Sequence, residues 1–173
     1  MFGRKEEKTR DNTTHKIALR GMLVAVAFVL SWVEAQFPPL MAVPGVKLGL
    51  TNLVVLVALY RLSIKDALVL NVIRILLAGL TFGNVFSMVY SLAGGILSVL
   101  VMILLKLTKK FSIVSVSVAG GVFHNVGQVL VAMVVLASDG VFYYMAALWI
   151  SGVVAGAVIG VLGAQLVKHL PGE

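Results

Sequence analysis

The feature that most constrains this chain is its series of long apolar segments, which only short polar turns interrupt. Of the 173 residues, 60% are hydrophobic and 12% are charged, and the mean hydropathy is +1.06. A soluble domain carries roughly a quarter of charged residues, so this chain lacks the polar surface that water requires. Six membrane spans of about 20 residues would use most of its length, which leaves no room for a separate soluble catalytic domain.

Hydropathy, prolines and turn residues predict six transmembrane helices. They are expected over residues 17–35, 47–60, 63–80, 85–105, 112–137 and 142–168. Residues 1–15 are polar and lack an apolar period, so they are predicted to form a disordered cytoplasmic tail. The fold class is therefore all-α, a polytopic membrane protein in which residues 16–170 form a single six-helix domain.

Two local patterns refine this assignment. Ser63 and Asp66 have the spacing of a capping box, which predicts that the third helix begins there. Residues 111–118 are rich in Ser and Val and would favour a strand in water. An unpaired strand in lipid leaves its backbone polar groups unsatisfied, so we expect a helix there.

The positive charges predict the orientation. If there are six spans, 12 of the 14 Lys and Arg residues fall on one side, which the positive-inside rule makes cytoplasmic. Both termini would then be cytoplasmic, in a multi-pass protein of the plasma membrane. The exceptions are Lys47 and Arg74. The basic residues lie at helix ends and form no stripe, so no nucleic-acid partner is expected.

Polar residues inside the predicted spans form the candidate site. Placing Arg or Lys at the membrane centre costs roughly 2.5–3.5 kcal/mol even on the mildest scale, so each needs an explanation. The candidate substrate-binding residues are Glu34, Lys47, Asn52, Arg74, Asn84, Ser91, His124, Asn125 and Gln128. All are expected between the midplane and the outer surface. This pattern indicates a water-accessible pocket that is open to the outside and holds a small, anionic ligand.

The candidate residues differ in their expected roles. Arg74 and Lys47 would pair with the anionic group, because charge-assisted hydrogen bonds are strong in a low dielectric. Glu34 would accept a hydrogen bond from the ligand or balance the cations. The polar edge of the ligand would be bound by His124, Asn125 and Gln128. Residues 36–46, with three prolines, would form a lid.

Structural interpretations compete with this one. Glu34 could pair with Lys47 or Arg74 to hold helices together, and buried Asn or Gln can bridge helix interfaces. A small channel or a purely structural bundle is a further alternative. A channel predicts pore-lining polar residues across the whole membrane, whereas this polar set stops at the midplane and favours a closed pocket.

Small residues form two further patterns. Gly152, Gly156 and Gly160 recur every four residues, which predicts close packing of the last helix inside the bundle. Ala18, Gly21 and Ala25 give the first helix a smooth face, for which a partner subunit is an alternative to packing within the chain.

Several activities are excluded by composition. The chain has no cysteine, so disulfides, thiolate catalysis and cysteine-bound metals are absent. Two of its three histidines lie near the chain ends, so no metal site and no cofactor are expected. It also has no Walker loop, so ATP hydrolysis would have to come from partner subunits.

Two motifs carry a family resemblance. The runs Pro44-Gly-Val-Lys-Leu-Gly-Leu-Thr-Asn52 and His124-Asn-Val-Gly-Gln128, with Glu34, Arg74 and Ser91-Leu-Ala-Gly-Gly95, resemble the Gx transporter family over about residues 15–170. Members of that family are often labelled heptaprenyl diphosphate synthase component I. The family is similar to the substrate-binding S components of energy-coupling factor (ECF) vitamin transporters, which are six-helix proteins with both termini inside and a ligand pocket near the outer face.

The resemblance implies partners. S components bind a micronutrient and associate with a transmembrane T subunit and two cytoplasmic ATPase subunits. In that family an Ala-xxx-Ala face of the first helix contacts the T subunit, and the nearest match here is Gly21-xxx-Ala25 with Ala18 one turn earlier. The ECF T subunit, the two ATPases, the lipid bilayer and a small-molecule substrate are therefore the expected partners.

The synthase label has a chemical requirement that this chain does not meet alone. Prenyl diphosphate synthesis needs clustered aspartates to hold Mg²⁺ against a diphosphate. The aspartates are Asp11, Asp66 and Asp139, and none of them is close to another aspartate in the sequence. We therefore expect no enzymatic activity from the chain itself. A role as an accessory membrane subunit of heptaprenyl diphosphate synthase stays open as the alternative.

Overall fold

A computed structural model of the chain describes residues 2–36, 49–136 and 145–170, which form six α-helices and, within these ranges, no strand. The helices are α1 (Phe2–Gln36), α2 (Leu50–Arg61), α3 (Ile64–Thr81), α4 (Val85–Thr108), α5 (Ile113–Leu136) and α6 (Met145–His169). The predicted all-helical fold is confirmed, and residues 113–118 are helical as expected in lipid.

The predicted cap of α3 is also confirmed. The backbone N–H of Asp66 donates to Ser63 Oγ (3.1 Å), and this hydroxyl donates to Asp66 Oδ2 (2.8 Å). Asn84 has the same function at the start of α4, where its Oδ1 accepts from Ser87 N (2.8 Å). Each cap satisfies a backbone donor that has no partner within the helix.

The N-terminal part of the chain differs from the expectation. The backbone of residues 2–15, predicted as a disordered tail, continues α1 back to Phe2. Extending an existing helix adds a hydrogen bond for each residue fixed, whereas starting one is costly. The adjoining apolar helix therefore provides the nucleus, and the Lys, Arg and Glu residues of this segment are good helix formers.

Among the described residues, four helices are long and apolar enough to cross a membrane, so the chain is a membrane protein with transmembrane helices. The candidate spans are Lys16–Gln36, Val85–Thr108, Ile113–Val135 and Met145–His169. The two remaining helices differ from these. α2 has 12 residues, about 18 Å at 1.5 Å per residue, and α3 carries charged residues among its 18.

The bundle has two chemically different ends. Short turns make α2, α3, α4 and α5 successively antiparallel, and Gly160 of α6 lies beside Val114 of α5. The end that holds the α2, α4 and α6 C-termini is named the basic end, because it carries Arg61, Lys65, Lys106, Lys109, Lys110 and Lys168. At this end Arg20 of α1 pairs with Asp66 (2.9 Å), and Lys106 donates to the carbonyl of Leu59. The other end is named the opposite end.

Glycines bring α5 and α6 into backbone contact. A Cβ added to Gly156 would lie 2.7 Å from Val118 Cα and 2.8 Å from Ser117 O. One added to Gly160 would lie 2.8 Å from Val114 Cα. The α6 glycines therefore pack inside the bundle, as predicted. In α1, by contrast, a Cβ on Gly21 would meet nothing within 4 Å.

Apolar side chains close the bundle between α2, α4 and α5. The largest of those that are almost completely buried are Val55, Leu56, Leu59, Val99 and Val116. They lie on the side of the basic end, since Leu59 is two residues from the α2 C-terminus and Val116 is three residues into α5.

A matched pair of glycine substitutions tests the α5–α6 contact. Gly156→Ala should destabilise the protein by about 1–3 kcal/mol, because the new methyl group meets backbone atoms that cannot move aside. Gly21→Ala should leave stability unchanged or slightly raised, since alanine has the higher helix propensity and the space is open. Thermal unfolding in detergent measures both, and equal melting temperatures for the two variants would contradict the described packing.

Candidate functional site

A cavity of about 340 Å³ is lined by residues from all six helices. This volume lies towards the lower limit of small-molecule pockets, roughly 300–1,000 Å³. Its walls consist mainly of hydroxyl groups, glycines and alanines. The polar side chains that line it are Ser31, Glu34, Thr51, Asn52, Arg74, Ser87, Ser91, Ser98, Ser117, His124, Asn125 and Ser151.

Arg74 is the cation of this cavity, and its side chain is only 7% exposed. Nη1 donates to Thr51 Oγ1 (2.6 Å), and Nη2 donates to Asn52 Oδ1 (2.8 Å). Asn71 Oδ1 accepts from both Nη2 (2.8 Å) and Nε (3.1 Å). These partners are all neutral, and no carboxylate of the described residues lies within ion-pair distance of the guanidinium.

The start of α2 is built to face Arg74. Gly49 precedes the helix with a φ of 72°, a left-handed conformation that glycine adopts without strain. Its N–H donates to Glu34 Oε1 (2.5 Å), which ties the end of α1 to the start of α2. Thr51 and Asn52 follow directly in the first turn. The carboxylate of Glu34 is thus engaged by the backbone, at the wall of the cavity.

Asn125 joins two walls of the cavity. Its Nδ2 donates to the carbonyl of Leu148 (2.6 Å) and to Ser151 Oγ (3.3 Å), both in α6. Ser151 Oγ donates to the same carbonyl (3.0 Å). The amide group therefore connects α5 to α6 next to the contact between Gly121 and Gly152. His124, its neighbour in sequence, also lines the cavity.

The structure brings six of the nine predicted site residues to the cavity: Glu34, Asn52, Arg74, Ser91, His124 and Asn125. It places two elsewhere. Asn84 is exposed and caps α4, because the first turn of that helix needs an acceptor. Gln128 is buried against α4, where its Cγ would be 2.9 Å from a Cβ on Gly94. Lys47 and residues 37–46 of the proposed lid (residues 36–46) lie outside the described residues, and Gln36 is the last residue of α1.

Sequence reasoning missed several hydroxyl groups of the cavity. Ser31, Thr51, Ser98, Ser117 and Ser151 all line it. Serine and threonine are common in membrane helices, where they can bond to their own backbone, so they stand out less than Arg or His. The spacing of Ser98 and Ser91, seven residues apart and hence on one face of α4, is the signal that could have found the first of them.

The cavity also extends further than the sequence predicted. Ser117 lies four residues after the start of α5 at the basic end, about 6 Å along the helix axis. The cavity therefore reaches closer to the basic end than His124, the predicted site residue of α5 nearest to that end. Within the described residues no group of three His, Asp or Glu side chains is placed to hold a metal ion, and the cavity offers hydrogen bonds and one buried cation instead.

The protein-family model described as "Heptaprenyl diphosphate synthase component I" matches residues 23–166 of the chain. This range contains every residue that lines the cavity. Comparison with curated proteins and with solved structures gave no match.

Single cysteines test whether the cavity holds water, since the natural chain has none. Ser91→Cys should react with a charged methanethiosulfonate reagent in a lipid nanodisc, because the thiol faces an open cavity. The control is Val154→Cys, because Val154 is 59% exposed on the outer side of α6. It should react at least about tenfold more slowly, because lipid disfavours the reactive thiolate. Mass spectrometry gives both rates. Faster labelling at position 154 would show that the cavity is not the water-accessible surface.

Proposed function

The chain belongs to the heptaprenyl diphosphate synthase component I family, and from this membership and its buried cation we propose that it is the substrate-binding S component of an ECF-type importer. In this role the chain captures a small anionic micronutrient or metabolite from outside the cell. The protein itself catalyses no reaction. The cavity is the binding site, and ATP hydrolysis by partner subunits drives release on the cytoplasmic side.

The observation that carries the proposal is the state of Arg74. A buried charge costs several kcal/mol unless an opposite charge or a full set of hydrogen bonds compensates it. The described partners of Arg74 are neutral oxygen atoms that orient the guanidinium beside the cavity. Glu34 acts on the guanidinium electrostatically from beyond ion-pair distance. An anionic ligand adds a negative charge in direct contact, and a carboxylate or phosphate fits the planar donor group.

The other cavity residues complete the proposed site. Thr51, Asn52 and Asn71 hold the guanidinium in one orientation, which lowers the entropy cost of binding. His124 and Ser91 offer hydrogen bonds to the polar edge of the ligand. Glu34 lies where it can accept a hydrogen bond from a donor group of the ligand, in addition to the one from Gly49.

The proposed topology has six crossings with both termini in the cytoplasm of a plasma-membrane protein. Its support is the charge distribution: among the basic residues whose side chains are described, Arg74 is the one that lies away from the basic end. The positive-inside rule assigns that end to the cytoplasm, so the cavity opens outward. The short α2 crosses only in part or with bilayer thinning, which membranes tolerate at modest cost.

The proposed partners are an ECF T subunit and two ATPase subunits. Ala18, Gly21 and Ala25 are exposed on α1, and no side chain of the described residues occupies the space beside Gly21. This face is smooth enough for a helix of another protein to approach closely. It supports the T-subunit contact that the family resemblance implies.

The description of the matched family favours a second candidate function, a non-catalytic membrane subunit associated with heptaprenyl diphosphate synthase. In the described part of the chain, Asp66 is engaged by Arg20 and Ser63 at the basic end, far from the cavity. The described residues therefore do not support a magnesium-diphosphate site, and in this alternative the catalytic residues belong to the partner.

Substitution of Arg74 tests the binding role. Arg74→Gln should weaken retention of the co-purifying ligand about 10- to 100-fold, because hydrogen bonds to a charged group contribute roughly 1.5–3 kcal/mol. Native mass spectrometry of the detergent-purified protein measures retention. Arg20→Gln, which removes a basic residue of the surface pair with Asp66, is the control and should retain the ligand.

Folding has to be separated from binding in this test. Arg74→Lys keeps the positive charge but loses the planar donor geometry, so it should fold like the wild type and bind with intermediate affinity. Unchanged retention in folded Arg74→Gln would remove Arg74 from the binding site and leave it a structural role.

Co-purification distinguishes the two candidate functions. Extraction in mild detergent with a tag on this chain should recover a membrane T subunit and ATPases, which mass spectrometry identifies. Gly21→Leu on the exposed α1 face should reduce that recovery, since a bulky side chain prevents close helix approach. Recovery of a soluble prenyltransferase subunit instead would favour the synthase alternative.

A further inference from the structure

The deep part of the cavity, on the side of the basic end, contains a hydroxyl group without a described partner. Ser98 of α4 lines the cavity and is 1% exposed, and within the described residues its Oγ has no hydrogen-bond partner. Other hydroxyls on these helices bond to a carbonyl of the preceding turn, as Ser31 does to Ala27 (2.8 Å) and Thr81 does to Leu77 (2.6 Å). Ser98 does not use this option, and its buried Oγ lacks the partner that such groups normally have, which a molecule bound between α4 and α5 would supply.

A second hydroxyl lies nearby on the facing helix. A Cβ on Gly120 of α5 would be 3.2 Å from Ser98 Oγ, so the two helices touch at this level. Ser117, three residues from Gly120 and hence on the same face, is 5% exposed and also lines the cavity. No described hydrogen bond engages its side chain. The deep part therefore presents two hydroxyl groups, from α4 and α5.

The helix geometry gives the distance between the two serine hydroxyls and the hydrogen-bond partners of Arg74. A Cβ on Gly95 of α4 would lie 3.0 Å from Asn71 Nδ2, and the Oδ1 of the same amide accepts from Arg74. On α4, Ser98 is three residues closer to the basic end than Gly95. On α5, Ser117 is three residues closer to the basic end than Gly120. At 1.5 Å per residue the deep end lies about 9 Å along the bundle from the level of Asn71.

The two ends of the cavity differ in charge. The ionisable side chains that line the described cavity are Glu34, Arg74 and His124, and none of them lies at the level of Ser117. Glycines wall the space between the ends, including Gly121 and Gly152, whose backbones are in contact. The deep end is thus neutral and hydrogen-bonding.

Resting on the function proposed above, we propose that the ligand is an elongated molecule with two different ends. Its anionic end lies at Arg74, and its far end carries a neutral hydrogen-bonding group that Ser98 and Ser117 bind. A hydroxyl, carbonyl or amide fits this description, because a serine hydroxyl both donates and accepts. A compact anion such as inorganic phosphate occupies only the Arg74 end.

The reach of the cavity is tested with single cysteines in the full chain. The thiolate attacks the methanethiosulfonate sulfur, a disulfide forms and methanesulfinate leaves. For each variant, the labelling rate with the anionic sulfonatoethyl reagent is divided by the rate with the cationic trimethylammonium-ethyl reagent. This ratio should be about tenfold higher for Ser98→Cys than for Ser115→Cys, an exposed site on α5. Arg74→Gln should abolish this preference.

The outcomes of the labelling separate the two proposals. If the Ser98→Cys variant is unreactive while Ser91→Cys reacts with anionic preference, the cavity ends above Ser98, and the elongated ligand is wrong while the anion site stands. If Ser91→Cys reacts without anionic preference, the anion site fails, and with it the proposed function.

The hydrogen-bonding role of the serines is tested with a matched pair of probes, hexanoate and 6-hydroxyhexanoate. For the wild-type protein in nanodiscs, saturation-transfer NMR should give about 3- to 10-fold tighter binding of the hydroxylated probe, the usual value of one neutral hydrogen bond. In Ser98→Ala/Ser117→Ala this advantage should disappear while hexanoate binds as before. Ser115→Ala should keep the advantage.

Three results would overturn this step. An equal affinity of both probes for the wild type shows that the hydroxyl finds no partner in the deep part. If Ser98→Ala/Ser117→Ala still binds 6-hydroxyhexanoate more tightly than hexanoate, the probe hydroxyl bonds to another group or to bound water only. An equal gain from the shorter 4-hydroxybutanoate, which cannot reach Ser117 from Arg74, places the contact near the cation.

Discussion

A guanidinium among apolar helices needs hydrogen-bond partners fixed by the protein, because hydrocarbon supplies neither water nor counter-ions. Arg74 meets this requirement with oxygen atoms from the first turn of α2 and from Asn71 in its own helix. The first turn of α2 is in turn fixed by Gly49 and Glu34. The arrangement of α1, α2 and α3 near the opposite end is thus built around one cation, and all of these residues except Asn71 also line the cavity.

The second half of the bundle is assembled by a different principle. Where α5 meets α6, glycines allow backbone to approach backbone, and Asn125 adds a hydrogen bond between the two helices. Apolar membrane helices gain little from hydrophobic burial against each other, so close packing of this kind provides much of their association energy. The cavity lies where the polar half and the glycine-packed half meet, which explains why its walls combine charged groups, hydroxyls and bare backbone.

The sequence predicts the helices well because lipid leaves few alternatives for an apolar segment, and it predicts the α3 start because Ser63 and Asp66 have a specific capping geometry. It identifies Arg74 because a charge is rare and costly in a span. It does not reveal Ser98 or Ser117, since a membrane helix tolerates serine with or without a ligand. Nor does it separate Asn84, which caps a helix, from Asn52, which faces the cavity. Both are amides near a helix start, and only tertiary packing decides their direction.

The contact between α5 and α6 also limits how the gene can change. Each residue turns an α-helix by about 100°, so a single inserted or deleted residue between Gly152 and Gly160 would rotate one part of the glycine row away from α5. Ala155 or Ala157 would then face the backbone at Ser117 and Val118, or Ile159 or Val161 would face Val114. The spacing along this part of α6 is therefore fixed in length as well as in composition.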